Sequence, residues 1–261
     1  MKRLHFSYKM TLTFSPPVKE HRFTIKCTPQ SNDMQKITEL KEEITPRNFS
    51  SKNKDSFGNL CVFGYAQGEH SSFSVSTEGV AETGLSNHVS TAPEHMVGIY
   101  KYQTPHTAAG AELTAFHSEF KFKENTAPLE KAKTFMNELS TRFAYVQGVT
   151  GISTTAEQAW ELKEGVCQDY SHILISLCRM EKIPARYVVG MLMGEGLSHA
   201  WVEVWQNGYW VALDPTNKCV VDDCHIKISC GRDYKDCLIN QGIFTGKSAQ
   251  RQDVGVTVTE I

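Results

Sequence analysis

The sequence has no apolar run approaching the roughly 20 residues that a membrane-spanning helix needs. The segment behind Met1-Lys2-Arg3, residues 4–11, alternates apolar and polar side chains and does not form the continuous apolar stretch of an export signal. An excess of one charge is lacking too: Lys and Arg number 27 against 29 Asp and Glu, for a formal net charge of -2. That balance gives no electrostatic grip on nucleic acid or an anionic membrane. No C-x-x-C pair occurs among the 8 cysteines, so the usual spacing of a structural zinc site is missing. Cys219, Cys224, Cys230 and Cys237 belong to no metal motif, and without an export signal the thiols are expected to stay free. No acidic loop suggests calcium, and no fixed-period repeat is visible. The expectation is a cytoplasmic protein with no metal, no cofactor, no nucleic-acid partner and no membrane partner.

What is present is a chain of 261 residues, enough for one large domain or two modest ones. Up to residue 125 the pattern is short and alternating, with strands expected at 4–14, 22–27, 60–65, 71–77 and 114–122. Turn-rich stretches such as Ser15-Pro16-Pro17 separate them, which predicts a β-sandwich-like N-terminal domain over 1–125. The character then changes. Pro128 suits the first turn of a helix, with Asn125 or Thr126 as cap, and Leu129, Ala132, Phe135, Met136, Leu139 and Phe143 follow at helical spacing. A second helix is expected at 155–162, capped by Thr154 or Thr155. A third follows Gly165, with Tyr170, Ile173, Leu174, Leu177 and Cys178 on one face and Pro184 beyond its end. Strands are expected at 185–193, 199–206, 209–214 and 254–259. The second domain, 126–261, is therefore α+β, and its last strand is free to pack back on either domain.

Cys167 sits at the start of the third helix, where unpaired N–H groups and the positive end of the dipole favour a thiolate. Alone it reads as a buried structural cysteine. His199 and Asp214 alter that reading. They flank Asn207-Gly208, a strong hairpin signal between alternating runs. With a two-residue loop, His199 and Asp214 become diagonal neighbours on one face, about 7–8 Å apart at the backbone and within side-chain reach. Trp201 and Trp210 share that face, while Ala200, Val202, Val204, Val211 and Leu213 form the opposite, aliphatic one. A one-residue slip would send His199 and Asp214 to opposite faces. A thiol, an imidazole and a carboxylate so placed suit nucleophilic acyl chemistry. The Cys167 N–H is the natural first oxyanion donor, and Tyr145 and Gln168 are candidates for the second. Trp201, Trp210 and Asp169 are candidates to line the substrate cleft.

At these residues the chain resembles the transglutaminase-like superfamily. The resemblance is carried by Gly165-Val166-Cys167-Gln168-Asp169-Tyr170-Ser171-His172, Leu177-Cys178-Arg179 and Ile183-Pro184-Ala185-Arg186-Tyr187-Val188. It continues through His199-Ala200-Trp201-Val202-Glu203-Val204, Trp210-Val211-Ala212-Leu213-Asp214-Pro215-Thr216-Asn217, His225-Ile226 and Gly231-Arg232-Asp233-Tyr234. Serine at 171, where the family pattern has alanine, is a minor departure. Residues 1–125 more loosely resemble the β-rich N-terminal region of the bacterial members. The resemblance implies a papain-like catalytic core and places the family's triad on Cys167, His199 and Asp214. It implies a peptide or protein substrate and a thioester intermediate. Water as second nucleophile gives a peptidase or amidase; an amine gives a transglutaminase. A non-catalytic binding module on the same fold is the third reading. Asp169, Arg186, Arg232, Asp233 and His172 lie within the motifs and read as structural.

Overall fold

Leu4, Phe6, Tyr8, Met10, Leu12 and Phe14 are all buried, the period of two that a strand with one face in a core requires. In the computed structural model, which describes residues 1–86, 89–91 and 94–261, they lie on β1 (Lys2–Ile25). The strands expected at 4–14 and 22–27 are thus one element. Its register against β5 shifts between Thr13 and Val18, around Pro16 and Pro17, which have no N–H to keep a ladder going. β2 (Gln35–Thr45), β3 (Phe49–Lys54), β4 (Leu60–Ala66) and β5 (His70–Thr83) follow. β2 and β3 were not legible as strands, because both are largely solvated and carry polar side chains on both faces.

β6 (Val89–Thr91) and the single turn α1 (Glu94–Val97) precede α2 (Ala111–Ser118). Helix α2 occupies most of the stretch expected to be a strand at 114–122. The backbone N–H groups of Gly110, Glu112 and Leu113 all donate to the Glu157 carboxylate, at 2.7 to 3.1 Å. The start of the helix is thus capped by a residue remote in sequence. The next helix, α3 (Pro128–Arg142), begins at Pro128 as expected, but neither Asn125 nor Thr126 caps it. Ala127 is the N-cap residue, and Gln206 Oε1 accepts from the Leu129 N–H at 2.9 Å. After β7 (Ala144–Tyr145), α4 (Ala156–Leu162) is capped by Thr155, with Gln158 completing a capping box. β8 (Glu164–Gly165) then leads into α5 (Cys167–Met180).

The remaining strands are β9 (Ala185–Leu192), β10 (Gly194–Gly196), β11 (His199–Gln206), β12 (Tyr209–Asp214) and β13 (Cys219–Val220). β14 (His225–Gly231), β15 (Asn240–Thr245) and β16 (Ala249–Glu260) close the chain. A 6-stranded antiparallel sheet runs β13-β12-β11-β9-β14, with β6 added on β12. An 8-stranded, curled sheet runs β10-β16-β1-β4-β3, with β5 and β15 also on β1 and β2 on β5. The last strand therefore returns to the first, from Leu4↔Glu260 to Ser15↔Ala249.

Ala200, Val202, Val204 and Leu213 pack on Phe135, Leu139, Ile173, Leu174 and Leu177 of the helices. Each such buried aliphatic side chain contributes roughly 1.5–3 kcal/mol. Met191, Ile226 and Ile228, on β9 and β14, join the core of the curled sheet. That second contact brings β1 and β16 up to the mouth of α5. Among the described residues, no helix is long and apolar enough to cross a membrane.

Candidate active site

The thiol sits where the chain turns from extended to helical. Val166, the N-cap residue, has extended backbone and Cys167 is the first helical residue, so its N–H has no intrahelical acceptor. The turn is held by Asp169, whose Oδ2 accepts from the Val166 N–H at 2.8 Å and from Thr150 Oγ1 at 2.7 Å. A Cβ on Gly165 would lie 2.5 Å from the same oxygen, so only glycine lets the two segments approach this closely. Burial raises the Asp169 pKa, partly offset by these hydrogen bonds.

The hairpin delivers the other two groups. Asn207 and Gly208 both have positive φ, 52° and 92°, as a two-residue hairpin loop with right-handed strand twist requires. Gln206 pairs with Tyr209 and the register continues to Val202↔Leu213. His199 and Asp214 consequently meet: His199 Nε2 lies 2.7 Å from Asp214 Oδ2. Cys167 lines the same cleft as His199, and the neighbouring sulfur acts to raise the His199 pKa.

Asp214 is fully buried. Its Oδ2 accepts from His199, from Asn217 Nδ2 at 2.7 Å and from His225 Nε2 at 3.2 Å. Its Oδ1 accepts from the N–H groups of Thr216 at 3.0 Å and Asn217 at 3.2 Å. Burial works to raise its pKa, but the bonds from His199 and His225, the His199 charge and the Asn217 bond outweigh it, and the group is held well below the carboxylate range. For His199, burial opposes the charge. The hydrogen bonds to Asp214 and Cys167, with both their charges, prevail and carry it from 6.5 to about 9. The imidazolium is therefore the favoured form beside the sulfur at neutral pH.

Cys167 and His199 open into a cleft of ≈ 420 Å³. Tyr8, Gln252 and Val254 from the curled sheet form part of its wall, together with Tyr187 and Val189 of β9. Apart from His199, no formally charged side chain lines it among the described residues. Tyr145 and Gln168, the oxyanion candidates, both line this cleft; Gln168 Nε2 also donates to Gly151 O at 3.5 Å. The other candidates lie elsewhere. Trp201 and Trp210 are fully buried and pack with Val188, Ala212 and Cys230, because their face of the hairpin is covered by further chain and is not open to solvent. Asp169 is absorbed by the turn before α5. None of these three lines the cleft.

The remaining motif residues hold the frame. Arg186 and Glu203 form a buried ion pair, Lys227 Nζ joins Glu203 at 2.8 Å, and the Arg186 guanidinium lies 4.2 Å from the Trp210 ring centroid. Arg232 pairs with Asp236 at 2.8 Å, and Asp233 Oδ1 accepts from the Lys235 N–H at 2.8 Å. His172 is buried and accepts from the Tyr234 N–H at 3.1 Å; burial pushes its pKa down to about 3, so it is neutral. All eight cysteines are free. Cys230 and Cys237 are buried, Cys219 and Cys224 half-buried.

His225, Asn217 and Asp222 were not picked out from the sequence as site residues. Asn217 was within reach of it, since an Asx turn after Asp214-Pro215 places it beside the carboxylate. His225 was not, because it arrives on β14, which is separated from β12 by β9 and β11.

Residues 118–215 match the transglutaminase-like superfamily core, and residues 4–82 the bacterial transglutaminase-like N-terminal region. An uncharacterised protein of Mycobacterium leprae is 26% identical over the whole of both chains. One of Mycobacterium tuberculosis is 27% identical, over 88% of this chain and 84% of its own. The solved structure of a candidate cysteine protease from Cytophaga hutchinsonii superposes with a TM-score of 0.82 at 20% identity, over 100% of this chain and 91% of the other. Residues 118–215 thus carry the transglutaminase-like superfamily core and residues 4–82 the bacterial transglutaminase-like N-terminal region, on a fold shared with the Cytophaga structure.

Proposed function

We propose that the protein is a thiol hydrolase that cleaves peptide, isopeptide or related amide bonds through an acyl-enzyme on Cys167. The observation that carries this reading is the His199 ring bonded to Asp214 at 2.7 Å on the cleft that it shares with Cys167. In this reading His199 takes the thiol proton and Asp214 keeps the ring oriented and its charge balanced. The thiolate adds to the amide carbonyl. The Cys167 N–H at the tip of α5, with Tyr145 or Gln168, stabilises the oxyanion. Collapse of the adduct breaks the C–N bond, and His199 returns its proton to the leaving amine. Water, deprotonated by His199, then adds to the thioester and releases the acid and the thiol.

The uncharged lining of the cleft favours neutral acyl groups, because a charged side chain would lose its hydration there without gaining a partner. The test is turnover of small amides and esters by the wild type and by Cys167→Ala. Turnover that disappears in the variant, with an unchanged circular dichroism spectrum, supports the reading; equal turnover refutes it. Adding a primary amine to the same assay distinguishes the two fates of the thioester, since a transferase would form the amine conjugate at the expense of the free acid.

A further inference from the structure

His225 lies outside the proposed triad but touches it. Its Nε2 is 3.2 Å from Asp214 Oδ2 and its Nδ1 is 2.9 Å from Asp222 Oδ1. A continuous chain of side-chain contacts thus runs from Asp222 through His225 and Asp214 to His199.

The placement is built by the fold. Asp222 precedes β14 and its Oδ1 also accepts from the Cys224 N–H at 3.0 Å. His225 opens β14, paired with Leu192 of β9. The Trp201 ring meets the imidazole edge-on, with centroids 5.4 Å apart, and the side chain is only 4% exposed. On its far side His225 and Asp222 line a second cavity, with Lys54, Arg186, Glu203 and Lys227 as its other charged groups. This cavity is separate from the cleft that holds Cys167.

We infer that His225 is a positioning residue of the Cys167 site: it fixes Asp214 Oδ2 on the line to His199 Nε2, and Asp222 in turn fixes His225. Asp214 sits between two imidazoles and cannot rotate toward one without loosening the other. The turnover part of the test rests on the acyl-enzyme reading, whereas the alkylation part does not.

The experiment compares the wild type with His225→Leu and His225→Gln. Iodoacetamide labelling of Cys167 at mildly acidic pH, followed by peptide mass mapping, reports the thiolate–imidazolium pair without any substrate. Turnover of p-nitrophenyl acetate reports kcat and KM. In His225→Leu the Cys167 labelling rate and kcat are expected to fall about 10- to 100-fold, as for outer partners that orient a functional imidazole, with KM little changed. His225→Gln, whose amide can still donate to Asp214, is expected to recover most of the loss. Wild-type rates in His225→Leu would overturn the inference, as would a loss in His225→Gln as large as in His225→Leu. If His225→Leu does not fold, His225→Asn replaces it: its shorter amide keeps Asp222 and gives up Asp214, and wild-type labelling there overturns the inference. Absence of wild-type turnover combined with the expected labelling pattern would sink the acyl-enzyme reading and leave the positioning role standing.

Discussion

Asp214 is a carboxylate that burial alone would neutralise and that its hydrogen-bond donors keep ionised. Its charge sustains the protonated form of His199. Asp214→Asn is expected to lower kcat by about 10⁴-fold while leaving the geometry intact, because the amide no longer selects the tautomer; steady-state kinetics on a small ester checks this. The same coupling has a consequence for stability. A histidine whose folded pKa is raised stabilises the fold fully below its unfolded value, 6.5, and that contribution is lost as pH rises through about 9. Thermal melts from pH 6 to 10 are expected to show a larger alkaline loss in the wild type than in His199→Gln, and parallel curves would contradict the assignment. At this scale the sequence was informative where partners are close along the chain. His199 and Asp214 share a hairpin, so counting residues across a two-residue loop placed them together. Trp201 and Trp210 were expected to line the cleft but are buried away from it, because nothing in the hairpin reveals which segments cover their face.

At the scale of elements, local rules held where local residues do the work. Thr155 with Gln158 starts α4, and Asn207-Gly208 sets the register of β11 on β12. They failed where a distant residue supplies the cap. Helix α2 begins on the Glu157 carboxylate, and α3 has no side-chain cap of its own but receives Gln206 from the hairpin. Glu157→Ala is expected to cost about 1–2 kcal/mol, the upper range for loss of an N-cap, measured by urea unfolding; a change too small to detect would mean that water caps α2 equally well. Gly208→Val is expected to destabilise further, since a β-branched residue at φ 92° is strained by about 1–3 kcal/mol. Its Cys167 labelling should slow as well, because the loop sets the approach of His199 to Asp214.

At the scale of the molecule, the curled sheet is more than an appendage. Strand β1 pairs with β15 and β16 from the other end of the chain, and Tyr8, Gln252 and Val254 reach the cleft beside Cys167. The sequence showed the alternation of the last strand but not its partner, because a strand's pattern specifies a buried face and not the strand beside it. We propose that the N-terminal part, 1–125, serves the site by walling this cleft through Tyr8 together with the returning strand β16, while 126–261 also supplies the reacting groups. The central claim, that Cys167 forms a thioester, is tested most directly by acyl-enzyme trapping. The protein is incubated with a peptide library, quenched in acid and mapped by mass spectrometry. The account expects an acyl adduct on Cys167, removed by hydroxylamine and missing in Cys167→Ala. No adduct on Cys167, or adducts spread evenly over the other thiols, would contradict it.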